Sequence, residues 1–262
     1  MTLQPSHTHL IVDAHVHLHP CFDLAQFLDA ALQNFQQQAQ RQKLAQPWVG
    51  ALLLAEVSGV HAFADLASQQ CELADWKICP TSEASSLRLN HVSGQSLLIA
   101  AGRQAVTQEG IEVLALMTEA EIADGLGLAE TLDKAEKADA LPVLPWGVGK
   151  WLGARGQLVR SQLQFSAPLP FVGDNGGRPS FWPLPDFCKQ RPQLPGSDPL
   201  PLAYEVKRPG SFGLVTEGDF NWAQPGESLK QILRSPQAPI EAYGNLQSPW
   251  RFVQNQSLLR LS

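Results

Sequence analysis

The sequence predicts an α/β fold, most simply a barrel of parallel strands with helices packed outside it. Two observations carry this. Short apolar runs alternate with segments whose apolar residues recur at helical spacing, from Leu10 to Leu233. In addition, Trp48 to Ala55 (Trp-Val-Gly-Ala-Leu-Leu-Leu-Ala) is almost wholly apolar, which suits a strand covered on both faces of a parallel sheet. The chain of 262 residues can bury a sizeable core without covalent staples and is read as one barrel-like unit over 1–262.

Leu10, Ile11 and Val12 read as the first buried strand, and Asp13, Ala14, His15, Val16 and His17 follow where it runs out. Asp23 can N-cap a helix with Gln26 in the capping-box position. Leu24, Phe27, Leu28, Ala31, Leu32 and Phe35 then recur at helical spacing. The apolar strand 48–55 ends at Glu56; His61 follows, and Ala62 to Ala74 reads as a helix. Ser86 to His91, Ser96 to Ala101 and Ile111 to Met117 read as strands separated by short Gly-containing turns. They form an antiparallel meander, or a parallel strand with a β-hairpin inserted at about 84–110. Leu128, Leu132, Ala135 and Ala138 suggest a helix, and Leu141 to Trp146 a strand despite its prolines. Val148, Trp151, Leu152, Val159 and Leu163 suggest a helix beginning near Gly147. Leu169 to Val172 reads as a short strand running into Gly173-Asp174-Asn175-Gly176-Gly177-Arg178-Pro179. The proline-rich stretch 179–201 reads as loop, Ser211 to Thr216 as strand and Glu227 to Leu233 as helix. Arg251 to Leu261 is open between helix and strand.

Composition excludes several functions. A net charge of −6 argues against a dedicated nucleic-acid binder. The four cysteines, at 21, 71, 79 and 188, form no C-x-x-C pair and read as reduced thiols of a cytoplasmic protein. The first residues lack the basic and apolar regions of a signal peptide, and no apolar run is long enough to span a membrane. There is no G-x-S-x-G elbow and no G-x-G-x-x-G after a strand, and Gly147-Val148-Gly149-Lys150 lacks P-loop spacing. The expected partner is therefore a small-molecule substrate.

His15 and His17 carry the chemistry. Residues two apart on an extended chain point to the same side, so both imidazoles can aim at one point. Neutral imidazole is a good ligand for zinc, manganese or iron. In α/β barrels functional residues stand where strands end. His15, His17, Glu56, Asp174 and Asp198 occupy such places and form a mixed set suited to one or two divalent ions. A bound ion would activate a water, with Asp198 or Asp174 as ligand or base. Arg178 can hold an anionic group in a bidentate way, and Lys150, near the start of its helix, favours an anion too. Asn175 and His61 complete the candidate substrate-binding set.

Each position also has a plainer reading. Glu56 and His61 can belong to the start of the next helix. Asp-Asn-Gly-Gly at 174–177 is a turn sequence in its own right, and Asp198 before Pro199 can be a turn residue. His19 fits a loop role, and His7 with His9 a flexible N-terminal pair.

An apolar strand ending in His-x-His resembles the opening of the amidohydrolase and PHP (polymerase and histidinol phosphatase) metal-dependent hydrolases. The later order favours PHP. Gly102-Arg103-Gln104 stands where that family places Gly-x-Glu before a strand. Leu144-Pro145-Trp146 stands where a strand ends in His-Pro, and Gly196-Ser197-Asp198-Pro199-Leu200 stands in place of Gly-Ser-Asp-x-His. The resemblance covers roughly residues 10–202. It implies a distorted TIM-like barrel of the metal-dependent hydrolase type and phosphoester hydrolysis, with C–N hydrolysis as the alternative within the class. The chain departs from the pattern at Gln104, Trp146 and Leu200, each in place of a ligand of the family. A PHP-like protein that has lost catalysis and serves as a binding or scaffold subunit is the competing expectation.

Overall fold

The computed structural model describes residues 6–68, 73–165, 170–189 and 191–259. The expectations for the first five residues, Cys71, the strand start at Leu169 and the chain end beyond 259 lie outside them. In chain order the elements are β1 (Ser6–Val16), α1 (Leu24–Gln42), β2 (Trp48–Leu54), α2 (Ala62–Ala67), β3 (Trp76–Pro80), β4 (Ser86–His91), β5 (Ser96–Ala100), β6 (Gly102–Val106) and β7 (Glu112–Leu116). They continue with α3 (Leu128–Lys137), β8 (Leu141–Trp146), α4 (Ala154–Phe165), β9 (Phe171–Asp174), α5 (Asp186–Lys189), a 3₁₀ turn (Ala203–Lys207), β10 (Phe212–Phe220), α6 (Pro225–Arg234), β11 (Glu241–Gly244) and α7 (Pro249–Leu259).

The fold is mixed α/β, but the parallel barrel expected from the alternation is not closed. The strands form two sheets, ordered β11-β10-β1-β2-β5-β4-β3 and β6-β7-β8-β9. Among the described strands, parallel ladders join β1–β2, β2–β5 and β8–β9, with isolated parallel bridges at Glu56–Arg103, Val172–Gln193 and Pro179–Gln247. The reason lies in the connections. β3 to β4, β4 to β5 and β6 to β7 are joined by short turns, which permit only antiparallel neighbours, whereas a parallel pair needs a crossover of about a dozen residues.

The sheets are stitched to each other at two seams without a continuous ladder. At the first, Glu56 N–H donates to Gly102 O (2.9 Å) and Gln104 N–H donates to Glu56 O (2.8 Å). At the second, residues 192–198 run between β9 and β1. Leu194 and Gly196 donate to Val172 O and Asp174 O (2.8 and 2.9 Å), while Asp198 N–H donates to His15 O (2.8 Å) and Ala14 N–H to Pro195 O (3.2 Å). Both seams demand glycine. A Cβ on Gly102 would stand 2.2 Å from Leu54 O, and one on Gly196 2.1 Å from His15 N.

Both faces of β1 are buried, by alternation. Leu10, Val12 and Ala14 join Val49, Leu53, Leu116 and Val143 between the sheets. Ile11 faces outward beneath Phe27, Leu28 and Phe35 of α1. Each such fully buried side chain contributes roughly 2 kcal/mol of transfer free energy. Asp23 caps α1 by accepting from Gln26 N–H (2.8 Å), and Lys43 ends the helix in the left-handed region at φ 54°.

Several boundaries differ from expectation. α4 starts at Ala154, because residues 147–153 form turns, with Gly149 and Gly153 at positive φ. Lys150 therefore precedes the helix instead of sitting in its first turn. α2 ends at Ala67 among the described residues. The chain end is helical in α7. His7 and His9 lie in β1, opposite Asp219 and Glu217 of β10.

Candidate metal centre

β1 delivers both histidines, but not as a regular strand. Its register against β2 slips between Asp13 and Val16, an irregularity that re-aims the side chains at the strand's end. His15 is buried, and its Nε2 lies 3.1 Å from His17 Nε2. Asp198 arrives from the second seam. Its Oδ1 lies 3.7 Å from His15 Nε2 and 3.4 Å from His17 Nε2. Asp198 sits at φ 46°, a left-handed conformation that a residue before proline rarely adopts. The seam bond to His15 O and the Asn175 Nδ2 donor (2.9 Å to Oδ2) hold it there. Such strain is characteristic of functional positions.

These three side chains offer ligand atoms that all lie within 4.8 Å of one another, and the group can hold a metal ion. The donor set fits one. Four ligands at about 2.0–2.1 Å around zinc stand roughly 3.3 Å apart along each tetrahedral edge. The observed edges of 3.1, 3.4 and 3.7 Å bracket that value. Two imidazoles and one carboxylate leave a position open, as catalytic sites do and closed structural sites do not.

The electrostatics suit ligation. Burial pushes the His15 imidazole down to about 4, against the pull of Asp198, so it is neutral at physiological pH with a lone pair to offer. Burial works against the Asp198 carboxylate. Neighbouring His15, the His17 hydrogen bond and Lys150 outweigh it and hold that carboxyl well below the usual range. Lys150 is pulled up despite its burial by Asp198 and by Glu112, with which it forms an ion pair.

The other predicted residues fall in three places. Asn175 and Lys150 line one small cavity with Asp198 and Arg178. Asp174 ends β9 nearby, but its carboxylate is taken by Arg178, whose Nε and Nη2 reach it at 3.1 and 2.9 Å. Arg178 also donates to Trp182 O (2.6 Å) and lies over the Trp146 ring. Glu56 and His61 stand apart from the three-residue group. Glu56 Oε1 accepts from Phe63 N–H at the start of α2 (2.6 Å), and Oε2 pairs with Arg103 (3.0 Å). His61 precedes α2 without capping it and touches Arg103 through Nδ1 (3.3 Å). His19 accepts its loop role, with Nε2 2.9 Å from Pro199 O.

Sequence reasoning passed over Asp13, Glu112 and Asn255, and took Gln104 only as a departure from the resemblance. Gln104 Oε1 lies 3.2 Å from His15 Nε2, which puts this uncharged side chain at the centre. Asp13, wholly buried, accepts from Ser197 N–H and Gly210 N–H (both 2.7 Å) and ties the second seam to β1. A lone acidic residue inside a buried apolar run was the available signal. Glu112 and Asn255, from β7 and α7, carried none.

No protein-family model matches the chain, and no curated protein matches its sequence. Solved structures that share its fold include two of low identity. PsfC from Pseudomonas syringae is 15% identical with a TM-score of 0.54, the match covering 97% of this chain and 98% of that one. The lesion-specific endonuclease PfuEndoQ from Pyrococcus furiosus is 12% identical with a TM-score of 0.52. That match covers 90% of this chain and 58% of the endonuclease.

Proposed function

We propose that the protein is a metal-dependent hydrolase acting on a small anionic substrate, with phosphoester hydrolysis as the favoured reaction and C–N hydrolysis as the alternative within the class. The observation that carries this is the convergence of His15, His17 and Asp198 on one point with tetrahedral-edge spacing. A zinc, manganese or iron ion held there would lower the pKa of a coordinated water and polarise a substrate oxygen.

The chain's own groups do the rest. His15, dry and neutral, and His17 point their Nε2 atoms at the ligand position. Asn175 fixes the Asp198 carboxylate by occupying Oδ2, leaving Oδ1 toward the imidazoles. Lys150 supplies the positive charge for an anionic substrate. We assign Asp174 the task of orienting Arg178 rather than taking a proton, because both its oxygens face the guanidinium. Glu56 is in this reading a helix and seam anchor.

Further support comes from the order of strands across the seams. Following hydrogen bonds from β1 through β2, β6, β7, β8 and β9 to residues 192–198 returns to β1. That circular order is what a distorted PHP-type barrel needs, and we read 1–262 as one such unit, with the inserted hairpin at β3–β4 rather than at the expected 84–110. The fold likeness to an endonuclease fits phosphoester chemistry. We favour a small substrate over a polynucleotide because the net charge is −6.

The test is elemental analysis of protein purified without chelator, beside the His15→Ala/His17→Ala double variant. The expected result is at least one equivalent of zinc, manganese or iron, lost in a variant whose circular dichroism is unchanged. Wild-type protein that retains no metal even after soaking would sink the proposal. The Asp174–Arg178 and Glu112–Lys150 ion pairs favour a second reading, a binding protein without turnover. Bound metal with no hydrolysis of phosphoester or amide substrates would select it.

A further inference from the structure

α7 roofs the cavity that reaches Asp198. Lys150, Asn175 and Gly177 line that cavity on one side, and Phe252 and Asn255 of α7 line it on the other. Its volume is about 80 Å³. Pockets that enclose whole organic ligands run to roughly 300–1,000 Å³, so none of them fits while α7 lies in place. The three ligand candidates are themselves nearly closed to solvent: the side chains of His15, His17 and Asp198 are 3%, 11% and 14% exposed.

The hold on that helix is polar. Among the described residues no α7 side chain belongs to the hydrophobic core, and Trp250 and Val253 stand exposed. Its contacts land on one element, the 3₁₀ turn Ala203–Lys207. Asn255 Oδ1 accepts from the Tyr204 hydroxyl (2.6 Å), while Arg251 pairs with Glu205 (3.3 Å) and lies over the Tyr204 ring. This latch is incompletely satisfied: Asn255 Nδ2 and Glu205 Oε2 are buried with no hydrogen-bond partner among the described residues. Lifting α7 would hydrate both atoms, which lowers the free energy of opening. Elements with few buried apolar contacts open locally, at a fraction of the global unfolding free energy. The pivot follows from the backbone. Gln247 is buried and its carbonyl accepts from Ser180 N–H (3.2 Å), and α7 begins at Pro249. Motion of the helix therefore starts at Ser248.

We infer that α7 is a hinged lid. It closes the cavity in this structure and swings out about Ser248 when the Tyr204–Asn255 and Arg251–Glu205 contacts break, admitting ligands to Asp198. Hinges of this kind sit in a few residues at the end of an element, away from the chemistry. The latch is also wired to the centre. Glu205 faces Arg208 (3.6 Å) as well as Arg251, and Arg208 Nε donates to Ser197 O (2.5 Å), next to Asp198. That the lid serves a substrate rests on the hydrolase reading; that it opens does not.

The test separates opening from gating. Gly177→Cys places a thiol in the cavity, where an added Cβ meets only ordinary van der Waals contacts, the nearest at 3.5 Å. Its reaction with N-ethylmaleimide is followed peptide by peptide in chelator-treated protein, with and without the Tyr204→Phe/Arg251→Gln pair. That pair loosens the latch and leaves Glu205 to Arg208. Labelling should speed up at least fivefold when the latch is loosened, and amide exchange over 250–259 should rise alike while β1 stays protected. Where the pair alters the circular dichroism, Arg251→Gln decides alone, since that side chain is half-exposed. An unchanged labelling rate, or α7 amides that exchange no faster than those of β1, overturns the lid. Zinc uptake, read with a fluorescent indicator in the same variants without Gly177→Cys, should accelerate by a similar factor. Uptake at the wild-type rate despite faster labelling overturns the gating of the centre. Protein that binds no zinc, while labelling still answers to the latch, ends the hydrolase reading and leaves the lid standing.

Discussion

At the scale of single residues, two buried groups on one strand have opposite electrostatic costs. Burial pushes the Asp13 carboxyl up to about 6, against the hydrogen bonds it accepts from Ser197, Gly210 and His15. Between about pH 4 and 6 the folded state therefore holds a proton that the unfolded chain has released, and stability falls as pH rises. Burial pushes His15 down to about 4, so across the same window the unfolded chain holds the proton and stability rises with pH. The two effects oppose one another. In urea unfolding of chelator-treated protein, the midpoint of Asp13→Asn should climb more steeply with pH over that window than wild type, and that of His15→Ala less steeply; an unchanged slope in Asp13→Asn would refute the assignment. The histidine pair itself was legible in the sequence, because strand period alone puts residues two apart on one side. Asp13 was not, because its partners are backbone groups brought from 184 and 197 residues away.

At the scale of elements, the question is which acidic residues belong to the centre. Glu56 stands at the end of β2, where strand-end logic places ligands, yet α2 and Arg103 claim both its oxygens. Glu56→Gln should lower stability by about 1–3 kcal/mol, by breaking a buried ion pair, while leaving the metal content of the protein unchanged. A loss of metal would make Glu56 a ligand. Element identity was largely readable. β4 and β8 coincide with the stretches 86–91 and 141–146, and the buried face of α1 is the one its periodicity marks. β3, β6 and β11 went unseen, being short and partly polar; each stands at the end of its sheet, held by the ladder to one neighbouring strand that propensity alone does not reveal. The start of α4 was misplaced because Val148, Trp151 and Leu152 mimic helical spacing inside a turn region closed by positive-φ glycines.

At the scale of the whole molecule, the candidate centre is built across a seam rather than within a sheet. His15 and His17 belong to β1, while Asp198 belongs to the connecting segment that runs on from β9. A cation bound by all three would clamp that segment to the strand. Hydrogen exchange should then show added protection on metal binding at the amides of Ala14, Gly196 and Asp198, beyond any change in the β3–β4 pair. Uniform protection across both regions, or none, would place the ion elsewhere. Among the described residues no helix is long and apolar enough to cross a membrane.

The sequence by itself determined the α/β class, most of the strands and helices, the paired imidazoles and the glycine before Ser197-Asp198. These follow from local rules: side-chain period, apolar runs, capping and backbone freedom. Only the tertiary structure decided that the strands make two stitched sheets, that Asp198 meets the histidines while Glu56 and Asp174 are engaged by arginines, and that α7 closes the cavity. The physical reason is that a carboxylate's role depends on which charge or N–H donor stands within about 3 Å of it. That distance is set by residues far away in the chain, through turn lengths and close backbone contacts that no periodicity encodes.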